Sequence, residues 1–281
     1  MISCSWNYWV ESANIDDAIH VADSCGRFGK GSVVVFSSGN NWVSTDHVKL
    51  TADHPDVLAV GATDYNDSIY PWSCYDSTLD LVAPSGDYPE KTTGLVGDVW
   101  SLDVPELGKG YNPNVVDDCP SENENDDDYV CAFGGTSGAA PIVAGAAALV
   151  ITYDTTLTSD EVKDILKKSA VRDLEWTNGN PIDTPHVQYG YGLVDAYRAI
   201  LSLARGDINS DGNINLADIT ALQDYIYLNG DDPFPDPRLA NCNCDSLGKA
   251  NLADINILVD HVYISHNPLP LPCYVWEYPN E

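Results

Sequence analysis

Gly-Thr-Ser-Gly-Ala-Ala-Pro, residues 135–141, is the stretch that decides the fold of this 281-residue chain. The Ala- and Val-rich run from Ala139 to Leu149 predicts a buried helix, with Pro141 tolerated in its first turn. A glycine pair at 134–135 gives the backbone freedom just ahead of this helix. Ser137 is therefore expected at a helix N-terminus, where the positive end of the dipole favours the negative charge of acyl transfer.

Apolar runs and helical stretches alternate over residues 1–205, and this alternation predicts an α/β domain with a parallel sheet. Continuous apolar runs, typical of strands buried on both faces, lie at Val33–Phe36 and Val57–Val60, and Leu79–Val82 is predicted as a third strand. Helices are predicted after an Asn14 cap through Ile15 to Ala22, after a Thr158–Glu161 capping box, and from Leu193 to Ala204.

The residues around Ser137 favour a nucleophile over a simple helix cap, which is the commoner role of a serine at a helix start. Residues 135–141 and the following Val143–Ala144–Gly145 resemble the nucleophile motif of the subtilase family, GTS-x-A-[STA]-P-x-VAG. Further segments resemble that family in its own order, at Val33–Asn40, Val57–Asp64, Leu81–Gly86 and Tyr189–Asp195. The resemblance covers residues 1 to about 203 and implies a subtilisin-like sheet with flanking helices, N-terminally incomplete, and serine endopeptidase activity.

The resemblance also implies roles for particular residues. Ser137 would attack the scissile carbonyl, and the side-chain amide of Asn40 would donate to the oxyanion. The segment Ser3–Trp6 would pair with the extended backbone of a polypeptide substrate. Trp6 is open to two interpretations, as the wall of a specificity pocket or as part of the core.

Two parts of the family's catalytic machinery are missing from this sequence. The family's Asp motif, D-[ST]-G, and its His motif, H-G-[ST], would both precede Ser3, and neither occurs. None of the six histidines is followed by Gly, and we interpret His47 and His54, which follow the oxyanion strand, as solvated. A serine without a general base is a poor nucleophile. We therefore expect the C-terminal portion of a longer enzyme, inactive alone, with the catalytic Asp and His and a signal peptide upstream.

The charge of the chain limits its partners. Its 43 acidic and 13 basic residues give a net charge of −30, which disfavours nucleic acid and anionic membranes. The longest apolar run, Ala139 to Ile151, is shorter than the ~20 residues of a membrane span, so no span is predicted. The acid excess suits a solvating surface and Ca²⁺ ligands. Eight cysteines without a CxxC pair favour disulfides and a secreted protein.

A regular series of oxygen-bearing side chains follows residue 206. Gly212 stands at position 6 of the series and the Asn213 carbonyl at position 7. This spacing is that of an EF-hand-type Ca²⁺ loop with Asp at position 12, and a simple polar turn does not account for it. The predicted ligands are Asp207, Asn209, Asp211, Asn213, Asn215 and Asp218.

The loop and its helix are duplicated, since Asn215–Ile219 recurs as Asn251–Ile255 at a shift of 36 residues. Two registers remain open for the second loop. In register with Asp254, Asn243 and Asp245 stand at positions 1 and 3, and the apolar Leu247 falls at position 5. Alternatively, Asn241, Asn243 and Asp245 are the ligands, with two residues inserted before Gly248.

Paired loop–helix units of this kind resemble dockerin repeats. The resemblance implies a small all-α module that binds Ca²⁺ and docks onto a cohesin-type partner. Leu216–Ala217 and Leu252–Ala253 occupy the positions that carry partner recognition in that family, although both pairs could instead pack the module's own core. The predicted domains are a peptidase portion over 1–205, a module over 206–270 and a tail over 271–281.

A second hypothesis stays open beside the peptidase. The chain could be a non-catalytic secreted binding protein, in which a degenerate peptidase scaffold displays the docking module. Retention of both Ser137 and Asn40 favours the enzyme. An upstream extension that encodes the Asp and His motifs would decide between the two.

Overall fold

The computed structural model describes residues 1–7, 12–41, 47–49, 51–86, 99–102, 129–172, 185–209, 211–228, 237–243, 250–265 and 269. Asp245 and the predicted tail over 271–281 lie outside these residues. The chain forms two compact units, Met1–Ala196 and Tyr197–Glu281. The structure thus groups the residues from Tyr197 onward with the second unit, whereas the predicted boundary lay between residues 205 and 206.

Unit 1, Met1–Ala196, is built on a parallel sheet of four strands in chain order. The strands are β1 (Ile2–Cys4), β2 (Val34–Ser37), β3 (Val57–Thr63) and β4 (Leu81–Pro84). The central strands β2 and β3 are buried on both faces, which explains the continuous apolar runs of the sequence. The sheet confirms the predicted α/β class.

Three helices flank this sheet: α1 (Ala13–Gly29), α2 (Thr136–Tyr153) and α3 (Ser159–Ser169). The central helix α2 packs against all four strands. The capping box that was predicted for α3 is present, because Thr158 accepts from Glu161 N and the Glu161 carboxylate accepts from Thr158 N. The predicted Asn14 cap of α1 is wrong. The helix begins two residues earlier, and Ser12 occupies the cap position.

Two further helix predictions need correction. Leu193 does not begin a helix, because it bridges Val82 and Val171 as a short extended segment, and α4 (Ala196–Ala204) begins after it. Pro141 is not in the first turn of its helix, since α2 begins at Thr136. By length and composition α2 could also cross a membrane, but half of it is buried in the fold, as in the core helix of a soluble protein.

An antiparallel pair of strands leads into α2. It consists of β5 (Val99–Leu102) and β6 (Tyr129–Phe133), with Val99 opposite Phe133. Gly134 then bridges Gly86 at the end of β4. The turn that precedes the predicted nucleophile is therefore attached to the carboxyl edge of the parallel sheet, where active sites of open α/β sheets lie.

Unit 2, Tyr197–Glu281, contains α5 (Leu216–Leu228), a 3₁₀ turn (Pro237–Ala240), α6 (Leu252–Val259) and a π-helical turn (Asp260–Ile264). Its core contains residues related by the duplication. Ile219 and Leu222 of α5 pack with Ile255 and Leu258 of α6, all of them buried. The regular elements among the described residues of this unit are helical.

Candidate peptidase site and calcium loops

Ser137 lies in the first turn of α2, as the sequence predicted. The residue before the helix, Gly135, has φ +75°, a left-handed conformation that glycine adopts without strain. Its N–H donates to Gly86 O at 3.0 Å, and Ser85 Oγ donates to Gly135 O at 2.6 Å. These bonds attach the turn to the end of β4, so the position of Ser137 is fixed from the sheet.

Asn40 follows β2 and is held against the same turn. The Thr136 N–H and Thr136 Oγ1 both donate to Asn40 Oδ1, at 2.9 and 2.8 Å. Because a backbone N–H can only donate, the oxygen of the amide must face Thr136 and its NH₂ group must face away. A side chain at Gly135 would lie 2.9 Å from Asn40 Nδ2, which requires glycine there. Asn40 is therefore oriented to donate beside Ser137.

A second contact with the first turn of α2 comes from Ser5, the residue after β1. Pro141 has no N–H, so it cannot donate to the carbonyl four residues earlier, Ser137 O. Ser5 Oγ donates to that carbonyl at 3.1 Å, although Ser5 and Ser137 are 132 residues apart. The hydroxyl replaces the missing helical hydrogen bond and ties the nucleophile's backbone to the predicted substrate-pairing segment.

These residues surround a cleft of about 360 Å³. It is open between the carboxyl ends of β1 and β2 and the start of α2. Its described lining is polar, and it contains Ser5, Asn7, Ser37, Gly39, Asn40, Asn41, Lys49, Thr136 and Ser137. Trp6 does not belong to this lining. It packs edge-on against Phe36 with ring centroids 5.0 Å apart, while 45% of its surface stays exposed.

No general base is paired with the nucleophile within the part of the chain that the structure describes, where Ser137 Oγ has no hydrogen-bond partner. The histidines there have other contacts: His20 pairs with Asp56 at 2.8 Å, and His54 Nδ1 accepts from Asp56 N. Burial lowers the pKa of His186, and its Nδ1 accepts from Gln188 N. His47, interpreted as solvated, is exposed, but it accepts a hydrogen bond from Lys49 at the cleft.

Sequence reasoning missed four residues of this site: Ser5, Ser85, Thr136 and Lys49. Three of them bind the turn through contacts with residues far away in the chain, which no local pattern reveals. One signal was available for Ser5, because a proline after the first turn of a helix leaves a carbonyl that needs another donor.

The first predicted calcium loop is closed by its own side chains. Asp218, fully buried, accepts from Ile208 N, Asn209 N and Asn215 N at 2.7, 3.1 and 2.8 Å. Asp207 accepts from Asp211 N and Gly212 N at 3.0 and 2.9 Å. Asp218 thus joins both ends of the loop, and Asp207 joins its start to its middle.

The oxygen donors of this loop suit a hard cation. Asp207 and Asp211 lie in the loop and Asp218 in the first turn of α5, and Gly212 has φ +84° at the sharp bend. A hydrogen bond from Asn209 is the main cause of a lowered pKa at Asp211, which keeps that carboxylate charged. Among the described residues, no three His, Cys, Asp or Glu side chains already converge on one point. The residue types are those of Ca²⁺ loops, and amide and backbone oxygens would be needed beside the carboxylates.

The described ends of the second loop are bonded like those of the first. Asn243 N donates to the buried Asp254 at 2.9 Å, as Asn209 N does to Asp218 in the first loop. Cys242 lies in the same core as Ile208, and burial raises its pKa to about 12, so its thiol stays neutral. By these equivalences Asn241 takes the position in the second loop that Asp207 takes in the first. They favour the second of the two registers. Asp245 falls outside the described residues.

The predicted recognition pairs lie on the surface. Leu216 and Leu252 are 57% and 55% exposed, and Ala217 and Ala253 beside them are also exposed. They begin α5 and α6 in equivalent positions, and Asn215 and Asn251 cap these helices in the same way. The alternative in which these pairs fill the module's own core is therefore wrong for the leucines.

Among the described residues, Cys4, Cys25 and Cys242 are free thiols. Disulfides, which would favour an oxidising compartment, are thus not formed by these three. The acidic run between Asp117 and Asp128 lies outside the described residues.

Known proteins are similar to this chain in sequence and fold. Residues 1–192 match the model of the peptidase S8 or subtilase family. The calcium-dependent protease of Trichormus variabilis is 31% identical over 218 residues, 71% of this chain and 31% of the relative. Subtilisin BL of Lederbergia lenta is 30% identical over 188 residues, 67% of this chain and 51% of the relative.

A solved structure agrees with these relatives. The serine protease of Aeromonas sobria, in complex with its chaperone, has a TM-score of 0.57 at 20% identity, which shows the fold. The alignment covers 72% of this chain and 42% of that one. The chain spans about a third of the length of the calcium-dependent protease and half of the subtilisin. Since the family match covers more than half of its residues, the chain belongs to the subtilase family of serine peptidases.

Proposed function

We propose that this chain is the nucleophile-bearing portion of a subtilisin-like endopeptidase that cleaves polypeptides through an acyl-enzyme on Ser137. The observation that carries the proposal is the arrangement of Ser137 and Asn40. The serine begins a helix, and the Asn40 amide beside it has its oxygen engaged by Thr136. A hydroxyl at a helix start next to a free N–H donor is the arrangement that acyl transfer requires.

The chemistry follows from this geometry. Ser137 Oγ adds to the carbonyl carbon of the scissile peptide, and its proton passes to a general base. The carbonyl oxygen becomes an oxyanion, which accepts hydrogen bonds from Asn40 Nδ2 and from the backbone N–H at the start of α2. Collapse expels the amine with a proton from the base and leaves an ester on Ser137, which water then hydrolyses by the same steps.

The general base and its orienting carboxylate would come from a segment upstream of Met1. Two surfaces of unit 1 support this. The helix α2 has no charged residue, yet it exposes Gly145, Ala148 and Leu149 on one side. In the described sheet β1 pairs only with β2, so its other edge can accept a further strand. A segment that covers both surfaces would lie next to Ser137.

A serine-directed fluorophosphonate tests the proposal. We expect the protein with its upstream segment to be labelled at Ser137, and Ser137→Ala to abolish the label. Ser24→Ala, which removes an exposed serine of α1, is the matched control and should keep the label. The 281-residue chain alone should react far more slowly, since loss of the catalytic His costs about 10⁶ in kcat, a value from a subtilisin.

An extended protein that is folded but unlabelled would contradict the peptidase. That result would favour the alternative, a secreted binding protein in which the peptidase scaffold only displays the second unit. A labelled Ser24→Ala variant together with an unlabelled Ser137→Ala variant excludes that alternative.

For unit 2 we propose a calcium-dependent docking module for a cohesin-type partner. The oxygen donors of the first loop support the metal in unit 2. The relatives named calcium-dependent proteases support Ca²⁺ binding by the chain without indicating the unit. The exposed Leu216 and Leu252, in equivalent places on two duplicated helices, support a surface for a partner. Secretion completes the proposal, since free extracellular Ca²⁺ occupies weak loops that the cytosol would leave empty.

A further inference from the structure

Lys49 is the one charged side chain among the described residues that line the cleft at Ser137. It is half-buried, and the side chains beside it are hydroxyls and amides. A single cation in a polar cleft, partly removed from water, acts on a ligand's charge more strongly than an exposed lysine does.

The backbone and the stem of Lys49 are held in place. Lys49 N donates to Ser38 O at 3.0 Å, next to the end of β2. Its Cγ packs over Gly39 so closely that a side chain at Gly39 would lie 2.4 Å from it. Gly39 has φ +107°, which glycine adopts without strain. Its lack of a side chain therefore permits both the turn and the close packing of the Lys49 stem.

The neighbours of Lys49 are anchored as well. Asp76 accepts from Val48 N at 2.7 Å and from Thr78 N and Thr78 Oγ1. Burial acts to raise the pKa of Asp76, but these hydrogen bonds outweigh it, and the pKa lies below its usual value. The carboxylate is thus charged at neutral pH and fixes the short segment that carries Lys49.

Lys49 has no carboxylate partner within the described ranges. Its Nζ lies 3.2 Å from His47 Nε2. Three lysines of α3, by contrast, are paired: Lys163 with Asp23 at 2.7 Å, Lys167 with Asp80 at 2.7 Å, and Lys168 with Asp164 at 3.4 Å. A chain with 43 acidic and 13 basic residues offers ample carboxylates, so a lysine that faces a cleft without one is available to a ligand.

The location of Lys49 indicates which part of a substrate it meets. The cleft is bounded by Ser5 and Asn7 after β1, where the substrate backbone would pair, and by Asn40, where the oxyanion would lie. The side chain that enters between them belongs to the residue whose carbonyl is attacked. An ammonium group there pairs with a carboxylate and leaves an apolar or cationic side chain without a partner.

We infer that this cleft selects Asp or Glu as the residue on the acyl side of the cleaved bond, with Lys49 as the specificity-determining residue. The inference rests on the proposed peptidase function of the same site. It commits the substrate to acidic peptides, despite the net negative charge of the chain, because distant charges are screened within about 10 Å while Lys49 acts at contact.

Binding tests the inference without requiring catalysis. Fluorescein-labelled peptides that differ only in Glu, Gln or Leu at one position are titrated against the 281-residue chain, and affinity is read by anisotropy. We expect the Glu peptide to bind roughly tenfold more tightly than the Gln peptide, as for one charge-assisted hydrogen bond. Lys49→Met keeps the stem over Gly39 and should abolish this ratio, and Lys49→Glu should favour a Lys peptide instead. Lys168→Met, on α3, is the matched control and should retain the ratio.

Cleavage by the protein with its upstream segment gives a second measurement, the ratio of kcat/KM for the Glu and Gln peptides. Equal binding and equal cleavage of the two peptides, with Ser137 labelled by fluorophosphonate, would overturn the inference and leave the peptidase intact. Loss of both label and cleavage would instead contradict the peptidase, and the binding ratio would still decide on Lys49. If Lys49→Met abolished labelling of Ser137 itself, the lysine would act in the chemistry, and the specificity role would be wrong.

Discussion

Asn40 shows how hydrogen bonds, rather than packing, orient one side chain for chemistry. Its oxygen accepts two hydrogen bonds from Thr136, and Gly39 N donates in turn to Thr136 Oγ1 at 3.2 Å. The amide cannot rotate by half a turn without placing its NH₂ group against a backbone N–H. The donor that would stabilise the oxyanion is therefore preorganised before substrate binds.

Asn40→Ala should lower kcat by about 10²–10³ with a smaller change in KM, because an oxyanion forms only during the reaction; this magnitude comes from a subtilisin. Steady-state kinetics of the protein with its upstream segment measure both constants. Asn66→Ala, in an exposed turn, serves as the control and should behave as the parent protein. A kcat for Asn40→Ala within twofold of the parent would contradict an oxyanion role.

The helix α2 depends on another element for its first turn. Pro141 removes one helical hydrogen bond, and Ser5 Oγ supplies a replacement from the segment after β1. The nucleophile is thus attached to β1 through Ser5, to β2 through Asn40 and to β4 through Ser85. Attachment to three strands holds Ser137 more rigidly than a helix alone does, since helix ends fray.

Ser5→Ala should destabilise unit 1 by about 1 kcal/mol, because it leaves Ser137 O without its donor. In the Pro141→Ala background the same change should cost little, since the alanine introduced there would carry an N–H that reaches Ser137 O. Urea unfolding of the four proteins of this double-mutant cycle measures the difference. Equal costs of Ser5→Ala in both backgrounds would show that the hydroxyl does not replace the helical bond.

At the scale of the whole molecule, the two units depend on different interactions. Unit 1 is held by an apolar sheet whose strands β2 and β3 are buried on both faces. Unit 2 has a small core and a loop whose backbone N–H groups donate to the carboxylates of Asp207 and Asp218. A cation that binds the folded loop but not the unfolded chain stabilises the folded form, so Ca²⁺ is expected to stabilise unit 2 selectively.

Chelation of Ca²⁺ should lower the melting temperature of unit 2 and abolish binding of a cohesin domain, while unit 1 melts nearly as before. Differential scanning calorimetry with EDTA, then with Ca²⁺ restored, separates the two transitions. Asp207→Asn should reproduce the effect in Ca²⁺, and Asp224→Asn, on the exposed face of α5, should not. An unchanged transition for unit 2 in EDTA would count against the metal.

Local sequence patterns predict many of the secondary-structure elements of this protein. Buried strands appear as apolar runs, the Thr158–Glu161 capping box marks a helix start, and the spacing from Asp207 to Asp218 predicts a calcium loop. Helix boundaries were less reliable, because Ser12 and Asn14 are both good caps and only packing decides between them. The motif around Ser137 was sufficient to predict the family, since it combines a turn, a nucleophile and a helix in consecutive residues.

The sequence by itself determined the α/β class and the duplicated loops, and it predicted the nucleophile, because each depends on residues close together in the chain. Tertiary structure alone decided the orientation of Asn40, the role of Ser5 and the place of Lys49 in the cleft. Ser5 lies 132 residues from its partner Ser137, and Asn40 lies 96 from Thr136. Such pairs meet only because parallel strands bring their carboxyl ends to one edge of the sheet, and no local pattern encodes which side chains face each other there.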